Sequence, residues 1–197
     1  MVFSFEIFDD ELKNKISFRQ VDFDKDAELL YRWMNEEHVI PYWKLNGPKE
    51  TYFQHLLTAL HDEHQKLYIG YVNGRPVSYW ESYWVRGDVM EEAYEAEPND
   101  QGVHLLIGET DCLGKGYSLP MLKAMVRFQF QKPFTEKVIA EPDIRNKKMI
   151  HVFEKCGFVP IEPVKLPDKT GLLMFCDRDA FHRRWKYEDK HRLQTHI

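Results

Sequence analysis

Residues 103–130 constrain this chain more than any other stretch. An apolar run, Val103-His104-Leu105-Leu106-Ile107, leads into the loop Leu113-Gly114-Lys115-Gly116-Tyr117-Ser118. A helical pattern begins at once, with Leu119, Leu122, Met125, Val126 and Phe130 on one face. A strand feeding a helix through a glycine loop leaves the first helical N–H groups without internal partners, and the helix dipole favours an anion beside them. Gly114 and Gly116 carry no Cβ, so the backbone there can come close to a ligand. The arrangement predicts a pyrophosphate-bearing ligand over 113–118, with Lys115 as a countercharge. Glycine spacing of this kind also suits an ordinary strand-to-helix turn. It is not a P-loop, because no Gly-Lys-Ser/Thr follows at the required spacing, and the third glycine of the dinucleotide fingerprint is missing.

Composition narrows the function classes. The chain has 197 residues, which predicts a single domain over 1–197 with room for a full core. The net charge of −5 and pI of about 6.0 demand no basic face of the kind that binds nucleic acid and mildly suit a cationic amine substrate. The three cysteines, Cys112, Cys156 and Cys176, are widely spaced with no CxxC pair, which predicts free thiols in a reducing cytoplasm. No His-Glu-x-x-His or Cys/His cluster points to a metal. The first fifteen residues lack the basic start and apolar core of a signal peptide, and no run reaches the length of a membrane span.

Periodicity predicts an α/β fold in which a mixed sheet is flanked by helices. A first strand is expected at 16–21, then a helix from 22 carrying Leu29, Leu30, Trp33 and Met34, a loop over 38–48, and a helix over 49–61. Strands at 67–72 and 77–85 form a hairpin about Asn73-Gly74. A polar connection over 86–100 precedes the Val103 strand. A strand at 137–140, a helix at 147–156 closed by Gly157, a hairpin of 159–164 with 172–176, and a charged helix or tail over 178–191 complete the chain.

The second half of the segment sharpens the assignment. Asn146 is followed by Met149, Phe153, Gly157 and Phe158, which resembles the Asn-x-x-Ala-x-x-x-Tyr-x-x-x-Gly-Phe pattern of the GNAT N-acetyltransferases. The Gly114-x-Gly116 loop lies where that family has Gln/Arg-x-x-Gly-x-Gly/Ala, and the element order β-α-α-β-β-β-α-β-α-β-β is the family's. The resemblance implies acetyl-CoA, or another acyl-CoA, as co-substrate, with an acyl-CoA-binding core over about 100–160. Its pyrophosphate would lie on Gly114, Lys115, Gly116, Tyr117 and Ser118. The N–H groups of Leu106, Ile107 and Gly108 would hold the pantetheine amide and polarise the thioester carbonyl, and Asn146 would contact the pantetheine arm. Asp111 stands in place of Gln or Arg, Met149 in place of Ala, and Phe153 in place of a Tyr that often protonates the departing thiolate. A phenyl ring has no proton to give.

A narrower resemblance carries expectations about the substrate. The stretches Val103 to Gly108 and Glu141-Pro142-Asp143-Ile144-Arg145-Asn146 are similar to the siderophore branch of the family, which acylates N-hydroxylated amines of lysine or related diamines to hydroxamates. It implies His104 and Asp143 as the catalytic pair, and partners limited to acyl-CoA, a small hydroxylated amine and other siderophore-assembly enzymes. A helix cap is the structural alternative for both Asp143 and Asn146. Aromatic residues gather around Tyr42, Trp43, Tyr79, Trp80 and Trp84. Trp43, Tyr79, Trp80 and Glu81 are candidates for the acceptor pocket, Glu81 as partner to an ammonium. On that strand Tyr79, Glu81 and Tyr83 share one face while Trp80, Ser82 and Trp84 share the other, so one set should face the acceptor and the other pack on a helix. A GNAT acting on an aminoglycoside, polyamine or protein amine, and a non-catalytic CoA-binding protein, are the competing readings.

Overall fold

A computed structural model describes residues 2–186. The elements are β1 (Phe5–Asp9), β2 (Asn14–Gln20), α1 (Phe23–Met34), α2 (Ile40–Trp43), α3 (Lys49–His61), β3 (Gln65–Val72), β4 (Arg75–Trp84), β5 (Gln101–Ile107), α4 (Ser118–Gln129), β6 (Lys137–Ala140), α5 (Lys147–Cys156), β7 (Val159–Lys165), β8 (Thr170–Asp177) and α6 (Arg178–Trp185). The strands form one mixed eight-stranded sheet in the order β1-β2-β3-β4-β5-β6-β8-β7. The α/β assignment made from periodicity therefore holds. The chain divides into two compact units. The first comprises residues up to Tyr83 together with Val103–Ala124, and the second comprises Trp84–Gly102 together with the described residues from Met125 onward.

The first unit begins with a hairpin that periodicity missed. β1 pairs antiparallel with β2, from Phe5 opposite Phe18 to Asp9 opposite Asn14. The acidic run Asp9-Asp10-Glu11 and an outer face left in solvent hide the alternation. Helix α1 follows, and its buried stripe of Ala27, Leu30, Trp33 and Met34 recurs at helical spacing. No side chain of Asp22 caps it. Instead Asp26 reaches back to the Asp22 N–H at 2.7 Å and is itself held by Arg19 at 2.7 Å. The apolar stripe of α1 joins Tyr52, Leu56, Ile69, Tyr79 and Leu106 in one core. The β3–β4 hairpin turns at Asn73 (φ +49°) and Gly74 (φ +80°), the paired left-handed residues that a two-residue turn between twisted strands demands. Residues 38–48, expected as loop, include the single turn α2.

In the second unit β6 and β8 pair antiparallel, as do β7 and β8. Gln101 and Gly102 of β5 pair in parallel with Val138 and Ile139 of β6. The connection over 86–100 is ordered by Asp100, which is 1% exposed and receives the Tyr94 hydroxyl at 2.7 Å and Lys137 Nζ at 3.1 Å. Arg178 is equally buried and donates to the carbonyls of Phe130, Lys132 and Thr135, closing the chain after α4. Helix α5 starts at Asn146 and ends at Gly157, whose φ of +121° excludes a side chain at low cost. The expected terminal helix is α6. The rest of that expectation, residues 187–191, lies outside the described residues.

Candidate active site

Two bonds set the register of β4 against β5. Within the second unit the Val85 N–H donates to Asp100 O at 3.0 Å, and within the first the Gly108 N–H donates to Val77 O at 2.8 Å. Both fit an antiparallel register in which Glu81 stands directly opposite His104 and Tyr79 opposite Leu106. The side chains agree. His104 Nδ1 lies 2.8 Å from Glu81 Oε2, and the Tyr79 hydroxyl donates to Glu81 Oε1 at 2.9 Å. Tyr83 tilts over the imidazole at 5.0 Å between centroids, and Trp43 meets it edge-on at 6.4 Å and Tyr79 at 5.5 Å. The Glu81 and His104 side chains are 15% and 31% exposed, so the pair is screened but reachable.

The electrostatics follow from this enclosure. Burial pushes the Glu81 carboxyl up, but His104 and Tyr79 outweigh it and hold it below the ordinary carboxylate range. Burial and the Glu81 charge drive the Tyr79 phenol well above its usual value, so it remains a hydrogen-bond donor. An ionised carboxylate can only accept, which places the proton of a neutral imidazole on Nδ1 and the lone pair on Nε2.

Of the four residues expected to contact an acceptor, three belong to this face. Trp80 does not: it is fully buried on the opposite face, stacks edge-on against Phe18 at 5.4 Å and donates its indole N–H to Ser78 Oγ at 2.7 Å. Ser78 in turn meets Met121 Sδ of α4 at 3.7 Å. The even-numbered face of β4 thus packs on a helix, and Trp80 has no surface to offer a ligand.

Beyond β5, Gly108 is held by packing. A Cβ there would lie 2.0 Å from the Trp33 ring, and its N–H is taken by Val77. That bond removes Gly108 from the amides expected to polarise a carbonyl. Gly114 (φ +72°) and Gly116 (φ +81°) alternate with Lys115 in the exposed loop before α4, and no protein atom would lie within 4 Å of a Cβ at either. Left-handed glycines in alternation turn successive N–H groups to one side, which fits a phosphate group. Burial and Asp111 push the Cys112 thiol up, which keeps it neutral beneath the loop.

A charged cluster that sequence reasoning missed precedes this loop. Arg75 Nη1 and Nη2 donate to the two carboxylate oxygens of Asp111, each at 2.8 Å, and Nη2 also reaches Glu109 at 3.0 Å. Glu109 further accepts from Arg32 at 2.6 Å and from the Trp33 indole at 2.9 Å. Residues 79 to 84 could be read for parity, but nothing in the sequence marks Arg75 as the partner of Asp111.

Asp143, Asn146 and Phe153, also expected at the site, lie in the second unit. Asp143 is 6% exposed, and its carboxylate receives the Arg145 N–H and guanidinium at 2.6 to 2.9 Å. Arg145, followed by burial working the other way, holds its pKa down at about 2. Asn146 caps α5 by accepting the Met149 N–H at 3.2 Å. Phe153 is 3% exposed and packs edge-on against Phe158 at 4.9 Å. His104 and Asp143 therefore each have a charged partner within their own unit.

A family model described as an acetyltransferase (GNAT) domain matches residues 22–166. The chain belongs to the GNAT acetyltransferases. This GNAT enzyme is 33% identical over 181 residues to an N-hydroxyputrescine acetyltransferase of Acinetobacter baumannii, covering 88% of the chain and 83% of that protein. It is 31% identical to an N(6)-hydroxylysine O-acetyltransferase of Escherichia coli, over 88% of the chain but only 56% of that longer enzyme. Among solved structures, an uncharacterized protein from Bacillus halodurans is 54% identical with a TM-score of 0.91, covering 92% of this chain and 94% of that one. The aminoglycoside acetyltransferase AAC(6')-Ib in complex with coenzyme A is 30% identical with a TM-score of 0.78, over 85% and 98%. Among the described residues no group of three or more His, Cys, Asp or Glu could hold a metal ion, and no helix is long and apolar enough to cross a membrane.

Proposed function

We propose that this GNAT acetyltransferase moves an acetyl group from acetyl-CoA to the hydroxylated nitrogen of a small amine, a hydroxydiamine or N6-hydroxylysine, as a cytoplasmic step of hydroxamate siderophore assembly. The observation that carries the reading is the Glu81–His104 pair inside an aromatic wall, in a chain similar to two hydroxyamine acetyltransferases. Glu81 fixes the tautomer, and His104 Nε2 accepts the proton that the nitrogen loses as the C–N bond forms. A hydroxylamine nitrogen is already neutral near pH 7, so a modest base suffices. The thioester carbonyl passes through a tetrahedral oxyanion, and the N–H group of Ile107, which the register turns away from β4, is the proposed donor to it, whereas Leu106, like Gly108, faces its partner on β4. Collapse breaks the C–S bond. The sulfur departs as a thiolate, which matches a Phe at position 153 that has no proton to donate. Lys115 and the Gly114–Ser118 amides would hold the pyrophosphate, Asn146 the pantetheine, and Phe153 would line that arm. Asp143 would orient the hydroxylamine after yielding a hydrogen bond from Arg145.

The second reading is an aminoglycoside or polyamine acceptor, favoured by the 30% identity to AAC(6')-Ib. A thiol-release assay with acetyl-CoA separates the two. N-hydroxyputrescine, N-hydroxycadaverine and N6-hydroxylysine are compared with putrescine, cadaverine, lysine and kanamycin. Turnover confined to the hydroxylated amines and lost in His104→Ala is the expected result. Comparable turnover of the plain amines, or of kanamycin, would overturn the proposal.

A further inference from the structure

Arg75 and Asp111 form an exposed pair, 51% and 55% accessible at the side chain, and such pairs contribute little to stability. Their geometry is nevertheless specific. Arg75 forks onto both oxygens of Asp111 and extends to Glu109, whose other oxygen is taken by Arg32 and Trp33. Two carboxylates stand within five residues of Gly114, at the proposed pyrophosphate site. Left unpaired, both would repel it. With Arg32 and Arg75 engaged, the charges at the base of the loop cancel and Lys115 remains as an added cation.

We infer that Arg75 is a positioning residue for acyl-CoA: by clamping Asp111 and Glu109 it neutralises the entrance to the glycine loop, so that a polyanionic donor can bind there. This rests on the reading of 113–118 as the pyrophosphate site. The carboxylates that Arg75 holds, Glu109 and Asp111, lead into the glycine loop, whereas the carboxylate on His104 is Glu81, so the effect belongs to donor binding and not to the chemical step.

The test is calorimetric titration of coenzyme A into wild type, Arg75→Ala, Arg75→Lys and Arg75→Ala/Asp111→Asn. Arg75→Ala should bind about tenfold more weakly at low salt, with the defect shrinking toward roughly 1 M salt, where charges are screened within about 3 Å. Arg75→Lys and the double variant should each recover most of the loss, because each restores the charge balance. Steady-state kinetics should show the KM for acyl-CoA raised, with kcat and the KM for the amine unchanged. Melting temperatures should stay within about 3 °C of wild type, as expected for a surface pair. Equal coenzyme A binding by wild type and Arg75→Ala, or a double variant no better than Arg75→Ala, would overturn the inference while leaving the donor site intact. Wild type that bound no coenzyme A would refute the donor-site reading itself.

Discussion

Replacing Glu81 by Gln tests the centre of the proposed mechanism without changing shape. The carboxylate accepts from His104 at 2.8 Å and from the Tyr79 hydroxyl at 2.9 Å, and it is largely out of water. A glutamine has one acceptor for these two donors. If its oxygen stays with Tyr79, its NH2 group faces Nδ1, and the imidazole proton moves to Nε2, where the base should be. The charge-assisted bond lost is of the order of 1.5 to 3 kcal/mol, or about 10- to 150-fold in kcat/KM. Thiol release at saturating acetyl-CoA, followed from roughly pH 6 to 8, measures it. The folded carboxyl titrates below its ordinary value, so its ionised form, and the interaction with it, persists throughout that window and fades only as pH falls through the lowered value. The loss should therefore be present at both ends of that window, and it should fall on kcat. A variant within about threefold of wild type would refute the tautomer argument. A loss confined to the KM for the amine would make Glu81 a partner to a substrate ammonium, the role its position on β4 had first suggested.

Three further substitutions probe the frame. Gly108→Ala drives a Cβ into the Trp33 ring and should cost about 1 to 3 kcal/mol or more in urea unfolding; an unchanged midpoint would mean that Trp33 moves freely. Trp80→Phe removes the indole donor to Ser78 and should lower stability by about 1 to 2 kcal/mol, with kinetic constants within about twofold of wild type; an altered amine KM would put Trp80 back at the acceptor. Asp143 has its pKa lowered in the folded chain to about 2, so its contribution is complete above the unfolded value of 3.8 and is lost as pH falls through about 2. Asp143→Asn should destabilise by about 1 kcal/mol at neutral pH, a figure reduced because Arg145 is exposed, and the difference from wild type should close in acid unfolding. An activity loss far beyond that destabilisation would support its proposed catalytic part.

Local signals in this chain were legible wherever one element carried them alone. The glycine loop, the Asn73-Gly74 hairpin, the Asn146 cap and the buried stripe of α1 are all written within a dozen consecutive residues. β1 was not, since one face is solvated and its turn is acidic, so neither periodicity nor breaker residues announce it. Trp80 shows a subtler limit. Parity separated Tyr79, Glu81 and Tyr83 from Trp80 and Trp84, yet parity cannot say which face meets the helix, and only the bond to Ser78 and the contact with Met121 decide that.

The pairing of Glu81 with His104 depends on register across a connection of sixteen residues between β4 and β5, and register is the quantity a sequence states least directly. Slipping β5 by one residue would turn His104 away from Glu81 and present Val103 or Leu105 in its place. What prevents the slip is distributed. Asp100, fixed by Tyr94 and Lys137, anchors one end of the ladder, and Gly108, wedged beneath Trp33, anchors the other. The carboxylate partner of His104 is thus selected by packing at residues with no chemistry of their own. That is why a motif comparison could lead to His104 but not to Glu81 as the group beside it. By the same logic Gly108→Ala should damage kcat/KM beyond its cost in stability, because a displaced β5 end would loosen the 2.8 Å contact on which the tautomer rests.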